Sequence, residues 1–296
     1  VEKLRSTYGE GLLAEVAEDG RIHATFNQTV ARTGRLSSDA PNLHNIPVRS
    51  EEGRRFREAF VPAEGYELLV ADYNQIELRV IAHLAEDPGL IEAFTAGEDI
   101  HASTASRIFG VAPDEVTHEQ RSKSKMVSYG LAYGMEAYGL GQRLGIPTSE
   151  AQEILDAYFV AFPAVKDFME RTVADVRERG YTETVFGRRR RIPELSSGQR
   201  NVRMAGERQA MNAPIQGLAA DIFKVALVRL HRSLEESDLG SRLILQVHDE
   251  VILEVPPEQR AATDEIVLDA MSGAFDLRVP LEVNLSHGDS WAAAKG

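Results

Sequence analysis

LILQVHDEVILEV, residues 243–255, is the stretch on which the fold turns. Apolar residues run up to His248, the acids Asp249 and Glu250 interrupt them, and Val251, Ile252, Leu253 and Val255 carry a second apolar run out. Two short β-branched runs around a tight polar break read as a β-hairpin whose arms belong to a core. Adjacent acids at the tip of such a hairpin are costly unless a surface lysine, solvent or a metal ion meets them. For any single hairpin an exposed acidic turn is the commoner case, so the partner has to be sought elsewhere in the chain.

A second apolar run of strand length, ELLVAD at Glu67–Asp72, ends in an acid. Ile76, Leu78, Val80, Ile81 and Leu84 follow at helical spacing, up to a stop before Pro88. A buried strand delivering Asp72 to a strand-to-helix turn is a common placement for a reacting group, although an acid there is more often a helix cap. Asp87 before Pro88 reads as a plain cap. Further strands are expected at 21–25 and 281–286, in one sheet with 67–72 and 243–255. The helices between 88 and 240 form a long insertion, with a break at Pro214 and a cap at Ser149 and Gln152. The fold class is therefore α+β, a small sheet fed from both ends of the chain with a helical lobe between.

With no cysteine among 296 residues, disulfides and thiolate metal sites are excluded. The absence of any long apolar run points to a soluble, intracellular chain. The net charge of −13 argues against a polyanion partner, but its distribution argues for one. Arg177 to Arg208 holds nine Arg and four Glu with no Lys or Asp, a local +5 that leaves −18 for the rest. An acidic body with a confined basic track suits binding a phosphate backbone along one path. Arg188 to Arg191, on the outgoing arm of a hairpin turning at Phe186 and Gly187, form its densest part. The irregular segment 26–50 holds Arg32, Arg35, Asn42, Asn45 and Arg49, able to touch phosphates, sugars or base edges.

Thr117 and Gln120 make a capping box for a helix carrying Arg121, Lys125 and Tyr129 at i, i+4 and i+8. Those three share one face about 12 Å long, and two cations followed by a ring match a phosphate chain followed by a sugar and base. Asp72 and Asp249, 177 positions apart, would face one another if both strands lie in one sheet. Converging carboxylates of that kind hold Mg²⁺ together with substrate phosphates and water, and a pair of such ions suits in-line phosphoryl transfer.

DYNQIELR (72–79), RSKSKMVSYGLAYG (121–134) and QVHDEV (246–251) resemble, in order and spacing, motifs A, B and C of family A DNA polymerases. TGRLSSDAPNLHNIP, FGRRRRIP and NAPIQG are similar to bacterial members of the same family. The resemblance covers nearly the whole chain. It implies a right-hand palm, a small antiparallel sheet with helices, together with a helical fingers lobe, with the thumb largely absent. The expected divisions are a thumb remnant at 1–20, palm at 21–87, fingers at 88–210 with the basic hairpin 181–192, and palm again at 211–296.

By the resemblance, Asp72 and Asp249 bind the metal with the Tyr73 carbonyl, and Glu250 stands beside them in a lesser role. Two Mg²⁺ ions, replaceable by Mn²⁺, are the implied cofactor. Arg121 and Lys125 grip the triphosphate, Lys125 also protonating the leaving pyrophosphate, and His101 and Gln75 assist. Tyr129 packs on sugar and base, and Glu77, bonded to Tyr133, crowds a ribose 2′-OH. Arg35, Gln216, Gln246 and His248 face the minor groove and primer end, and Arg208 and Asn212 the template. The implied partners are primer–template DNA and deoxynucleotides, for a monomer in the bacterial cytoplasm at the nucleoid.

Tyr129 stands where many members have Phe, which implies acceptance of dideoxynucleotides. The chain also begins near the end of a thumb, without the nuclease domains that precede it in bacterial members, so it is expected to extend primers poorly and distributively. The rival from another class is a nucleotide- or DNA-binding fragment with little or no turnover. A related RNA polymerase or reverse transcriptase is a further alternative, which Glu77 disfavours for ribonucleotide substrates.

Overall fold

The computed structural model describes residues 5–47 and 51–295, so Arg49 and the first four residues of the 1–20 segment lie outside the described residues. The chain divides into two compact units. The first comprises residues 1–74, 220–275 and 281–296, and the second residues 75–219 and 276–280. The boundaries between these compact units lie at 74/75, 219/220, 275/276 and 280/281. The helix Ile76–Ala85 belongs to the second unit because its apolar face packs among the helices there.

The first unit is built on a four-stranded antiparallel sheet. Its strands are β3 (Glu67–Tyr73), β6 (Arg242–Val247), β7 (Glu250–Val255) and β8 (Val283–Gly288), in the order β6-β7-β3-β8. β3 lies between two partners and is buried on both faces, and that burial is why its sequence is a continuous apolar run rather than an alternation. Leu68, Leu69, Val70 and Ala71 are all buried, each large side chain contributing about 1.5–3 kcal/mol by leaving water. The register sets Leu69 against Leu253, Val70 against Ile252 and Asp72 against Glu250. On its other side β3 pairs Asp72 with Asn284. A core of Leu12, Leu43, Ile46, Leu68, Val70, Val247, Ile252 and Trp291 covers one face.

The expected strand at 21–25 is not in this sheet. Thr25–Asn27 (β1) pairs instead with Ser37–Asp39 (β2) in a separate two-stranded ribbon, and residue 22 makes only an isolated bridge to Val16. RIHAT is too short and too exposed to compete for a place beside the apolar arms of β6 to β8. Segment 26–50 also holds a 3₁₀ turn at Leu43–Asn45, capped by the Asn42 side chain.

In the second unit the helix His118–Ala132 begins at the Thr117–Gln120 capping box. The strands Tyr181–Glu183 (β4) and Arg189–Arg191 (β5) form the basic hairpin, with Gly187 at φ 80° in its turn. Two expectations fail here. Arg200–Glu236 is one helix that runs through Pro214 without a break. Pro214 forfeits one backbone bond, and the burial of Ala210, Ala213 and Ile215 around it offsets the loss. The helix Thr148–Ala161 starts after Pro147 and has no side-chain cap from Ser149. Among the described residues no helix is long and apolar enough to cross a membrane.

Candidate active site

Within the first unit, the hairpin between β6 and β7 turns on two residues, His248 and Asp249, with Val247 paired to Glu250. Such a turn wants a positive φ at its first position, and His248 supplies it at φ 54°. A non-glycine residue there costs about 1–3 kcal/mol, a strain retained most often at functional sites. The turn brings the Asp249 carbonyl to the end of β3, where it accepts from the Tyr73 N–H at 3.2 Å. Asp72 is not a helix cap: Gln75, at φ 58°, takes that position for Ile76–Ala85. The register places Glu250, rather than Asp249, directly across from Asp72.

The three acids differ in surroundings. Asp72 is partly exposed and is pushed toward the protonated form by burial, an effect that the Lys295 ammonium opposes. Asp249 is a quarter exposed and has the Arg35 guanidinium 3.7 Å from Oδ1. Glu250 is buried: its Oε1 accepts from Trp291 Nε1 at 3.2 Å, and its Oε2 accepts from Lys295 Nζ. Arg57 stacks on the Trp291 ring at 4.0 Å and lies 3.8 Å from Glu250 Oε1. Burial lowers Lys295, but Glu250 and Asp72 outweigh it and hold the ammonium above the ordinary lysine range.

The Tyr73 side chain points into the core and donates to the Met271 carbonyl at 2.6 Å, its hydroxyl pushed up by burial. Beside the turn, Arg35, His44, Lys224, Gln246, His248 and Asp249 line one small cavity of about 30 Å³. Gln246 donates to the His248 carbonyl, and its Oε1 is buried without a partner. His44 bonds the Gln246 carbonyl at 3.0 Å and packs tilted against the His248 ring, 5.5 Å between centroids. Burial is the main reason that both rings titrate below the ordinary histidine value. Asn42 is occupied as a cap, and the Asn45 carbonyl accepts from Tyr8.

Within the second unit, Arg121, Lys125 and Tyr129 lie along one helix. Arg121 is held at 2.7 Å by Asp99, which also caps the helix Ile100–Phe109. Burial raises the Asp99 carboxyl, but Arg121 and two backbone N–H groups hold it below its ordinary value. His101 packs 5.7 Å from the Tyr129 ring and is pushed down to about 4, by burial first and by Lys125 second. The Tyr133 hydroxyl donates to buried Glu77 at 3.0 Å. Gly134, at φ 67°, closely faces Asn212 and Arg208, where a side chain would collide. Arg208 pairs with Glu136 at 3.2 Å, and Arg189 with Glu183 at 2.7 Å. Arg188 and Gln216 are half-buried.

The model of DNA polymerase family A matches residues 1–293. The chain belongs to DNA polymerase family A. It is 57% identical over 295 residues to DNA polymerase I of Mycobacterium bovis, covering 99% of this chain and 32% of that protein. It is 50% identical to DNA polymerase I of Bacillus caldotenax, over 99% of this chain and 34% of that protein. The family A chain thus spans about a third of the length of these relatives. Its structure superimposes with a TM-score of 0.95 on the POL domain of Pol1 from M. smegmatis, in complex with DNA primer-template and dNTP. The two are 54% identical, over 100% of this chain and 52% of that one.

Family A membership raises the question of a divalent ion, and the donor chemistry fits a hard one. The end of β3 and the β6–β7 turn offer carboxylate and carbonyl oxygens, and an ammonium already bridges two of the acids. Among the described residues no three His, Asp or Glu side chains are grouped to hold an ion by themselves. A magnesium site completed by substrate phosphates and water needs only one or two carboxylates.

Lys295, Trp291, Arg57 and His44 went unread in the sequence. Trp291 carries a signal as the only tryptophan of the chain, placed just after the Asp–Ser pair that follows the last strand. Lys295 and Arg57 carried none, since their partners are distant in sequence.

Proposed function

We propose that the chain performs template-directed DNA synthesis, joining a deoxynucleotide to a primer 3′-OH with release of pyrophosphate. The first unit is assigned as palm and the second as fingers. The observation that carries the reading is the pairing of the motif A strand with the motif C hairpin, which sets Asp72, Asp249 and Glu250 at one sheet end. Bound there by Asp72, Asp249 and the Tyr73 carbonyl, two Mg²⁺ ions would lower the cost of charge on the attacking and leaving oxygens. The side chains do the rest by alignment and charge.

Arg121, oriented by Asp99, and exposed Lys125 bind the triphosphate, and Lys125 gives a proton to the departing pyrophosphate. His101 is neutral at physiological pH, so it donates or accepts one hydrogen bond and adds no charge. Tyr129 stacks on the sugar and base. Glu77, immobilised by Tyr133, excludes a 2′-OH. Arg35, Gln216, Gln246 and His248 contact the minor-groove edge and the primer end. Arg208 and Asn212 follow the template, and Asn42, Asn45, Arg188 and Arg189 the backbone.

The test is primer extension with Mg²⁺, comparing the chain with Asp72→Asn. Extension by the first and none by the second is expected, with equal DNA binding by both. Equal binding with no extension by either would leave a nucleotide- or DNA-binding fragment instead.

A further inference from the structure

Lys295 ends the short helix Trp291–Lys295, and its ammonium sits where the two cross-strand acids converge. It lies 2.9 Å from Asp72 Oδ2 and donates to Glu250 Oε2 as well. We infer that Lys295 is a resident counter-cation of the palm carboxylates, a positioning residue that a divalent ion must displace from Asp72 before Asp72 can bind it. This rests on the reading of Asp72 as a metal-binding carboxylate.

Three features make the exchange possible. First, Asp72 and Glu250 are opposed on adjacent strands, where two like charges repel unless something positive lies between them. Second, the helix is anchored apart from the ammonium. Trp291 is buried, donates to Glu250 Oε1 and is covered by Arg57, and Ala294 is buried as well. Third, the Lys295 side chain is 29% exposed, so its flexible stem can swing toward solvent without moving that anchor.

Glu250 is thereby the fixed partner and Asp72 the exchangeable one. When Asp72 turns to an ion, Lys295 keeps Glu250, and the pair of acids is never left without a counter-charge. Glu250 accordingly acts through Lys295, holding it within reach of Asp72. Competition for one carboxylate is reciprocal: whatever the ammonium gains from Asp72, the ion must overcome.

The test measures Mn²⁺ binding to the whole chain by the electron paramagnetic resonance signal of the free ion. Removing the competitor in Lys295→Met should tighten Mn²⁺ binding at least about 5-fold, and Lys295→Arg should stay within about 2-fold of the unmodified chain. A purely structural role predicts the opposite sign, because a damaged site binds more weakly. Unchanged or weaker binding by Lys295→Met overturns the inference. Should that variant fail to fold by circular dichroism, Lys295→Gln, which keeps a donor without the charge, carries the same comparison.

Trp291, as the sole tryptophan, supplies a second readout. Mg²⁺ should change its emission in the unmodified chain and leave it unmoved in Lys295→Met, and an equal change in both counts against the exchange. Asp72→Asn separates the two levels. If it binds Mn²⁺ as the unmodified chain does, the ion is not at Asp72 and the underlying assignment falls. If it binds weakly while Lys295→Met is unchanged, only the role of Lys295 falls.

Discussion

Replacing Glu250 separates its structural part from its charge. Glu250→Ala removes the acceptor of the Trp291 N–H, leaving a buried donor unpaired at about 1–3 kcal/mol. It also takes one of two carboxylates from Lys295 and the nearby acid from buried Arg57. Breaking a fully buried ion pair costs about 3–5 kcal/mol, but Lys295 is partly exposed and keeps Asp72, so the charge loss falls below that range. Together these give about 3–4 kcal/mol for the alanine. Glu250→Gln fills the same space and still accepts from Trp291, so its cost is about 1–2 kcal/mol. Urea unfolding followed by Trp291 emission measures both, since the reporter lies at the site. An alanine variant losing less than about 1 kcal/mol, or a glutamine variant as unstable as the alanine one, would refute the reasoning.

Tyr129→Phe should discriminate against dideoxynucleotides more than the unmodified chain does, and equal chain termination in a primer-extension ladder would remove the role assigned to the hydroxyl. Asp87 is buried and accepts from Gly89 and Leu90 N–H groups, so Asp87→Ala should cost about 1 kcal/mol in a thermal melt. One of its oxygens is buried without a partner, which keeps the loss from being larger. His101 titrates at about 4 in the folded chain against about 6.5 unfolded. The unfolded chain therefore takes up the proton first, and stability is complete above pH 6.5 and falls as pH drops toward 4. Urea midpoints at pH 7 and pH 5 should lie closer together in His101→Gln, and an unchanged gap would show that other groups carry the acid sensitivity.

The parts of the fold readable in the sequence are those with a strong local signal. β3 and β7 show as apolar runs because they are buried along almost their whole length, and the helix His118–Ala132 shows through its capping box. RIHAT has the right alternation but loses its place because strand pairing is settled by the longer, greasier competitors. Pro214 reads as a break because its effect is local, whereas the packing that carries the helix through it is not.

At the candidate site, the two apolar runs that end in acids make legible that the end of β3 and the β6–β7 turn meet in one sheet. The exchange of partners was not legible: a one-residue difference in register decides whether Asp249 or Glu250 faces Asp72, and no spacing argument fixes it. The clamp of Arg57, Trp291 and Lys295 on Glu250 joins three segments that no sequence pattern connects.

The discontinuity of the first unit also dictates when the site can exist. Its central strand β3 precedes both of its hydrogen-bonding neighbours, which lie beyond residue 249, on the far side of nearly the whole second unit. Closing such distant pairings is slow, and a chain emerging from the ribosome in order must hold β3, apolar on both faces, without its partners. Asp72 therefore has neither Glu250 nor Asn284 across from it until the second unit has been made.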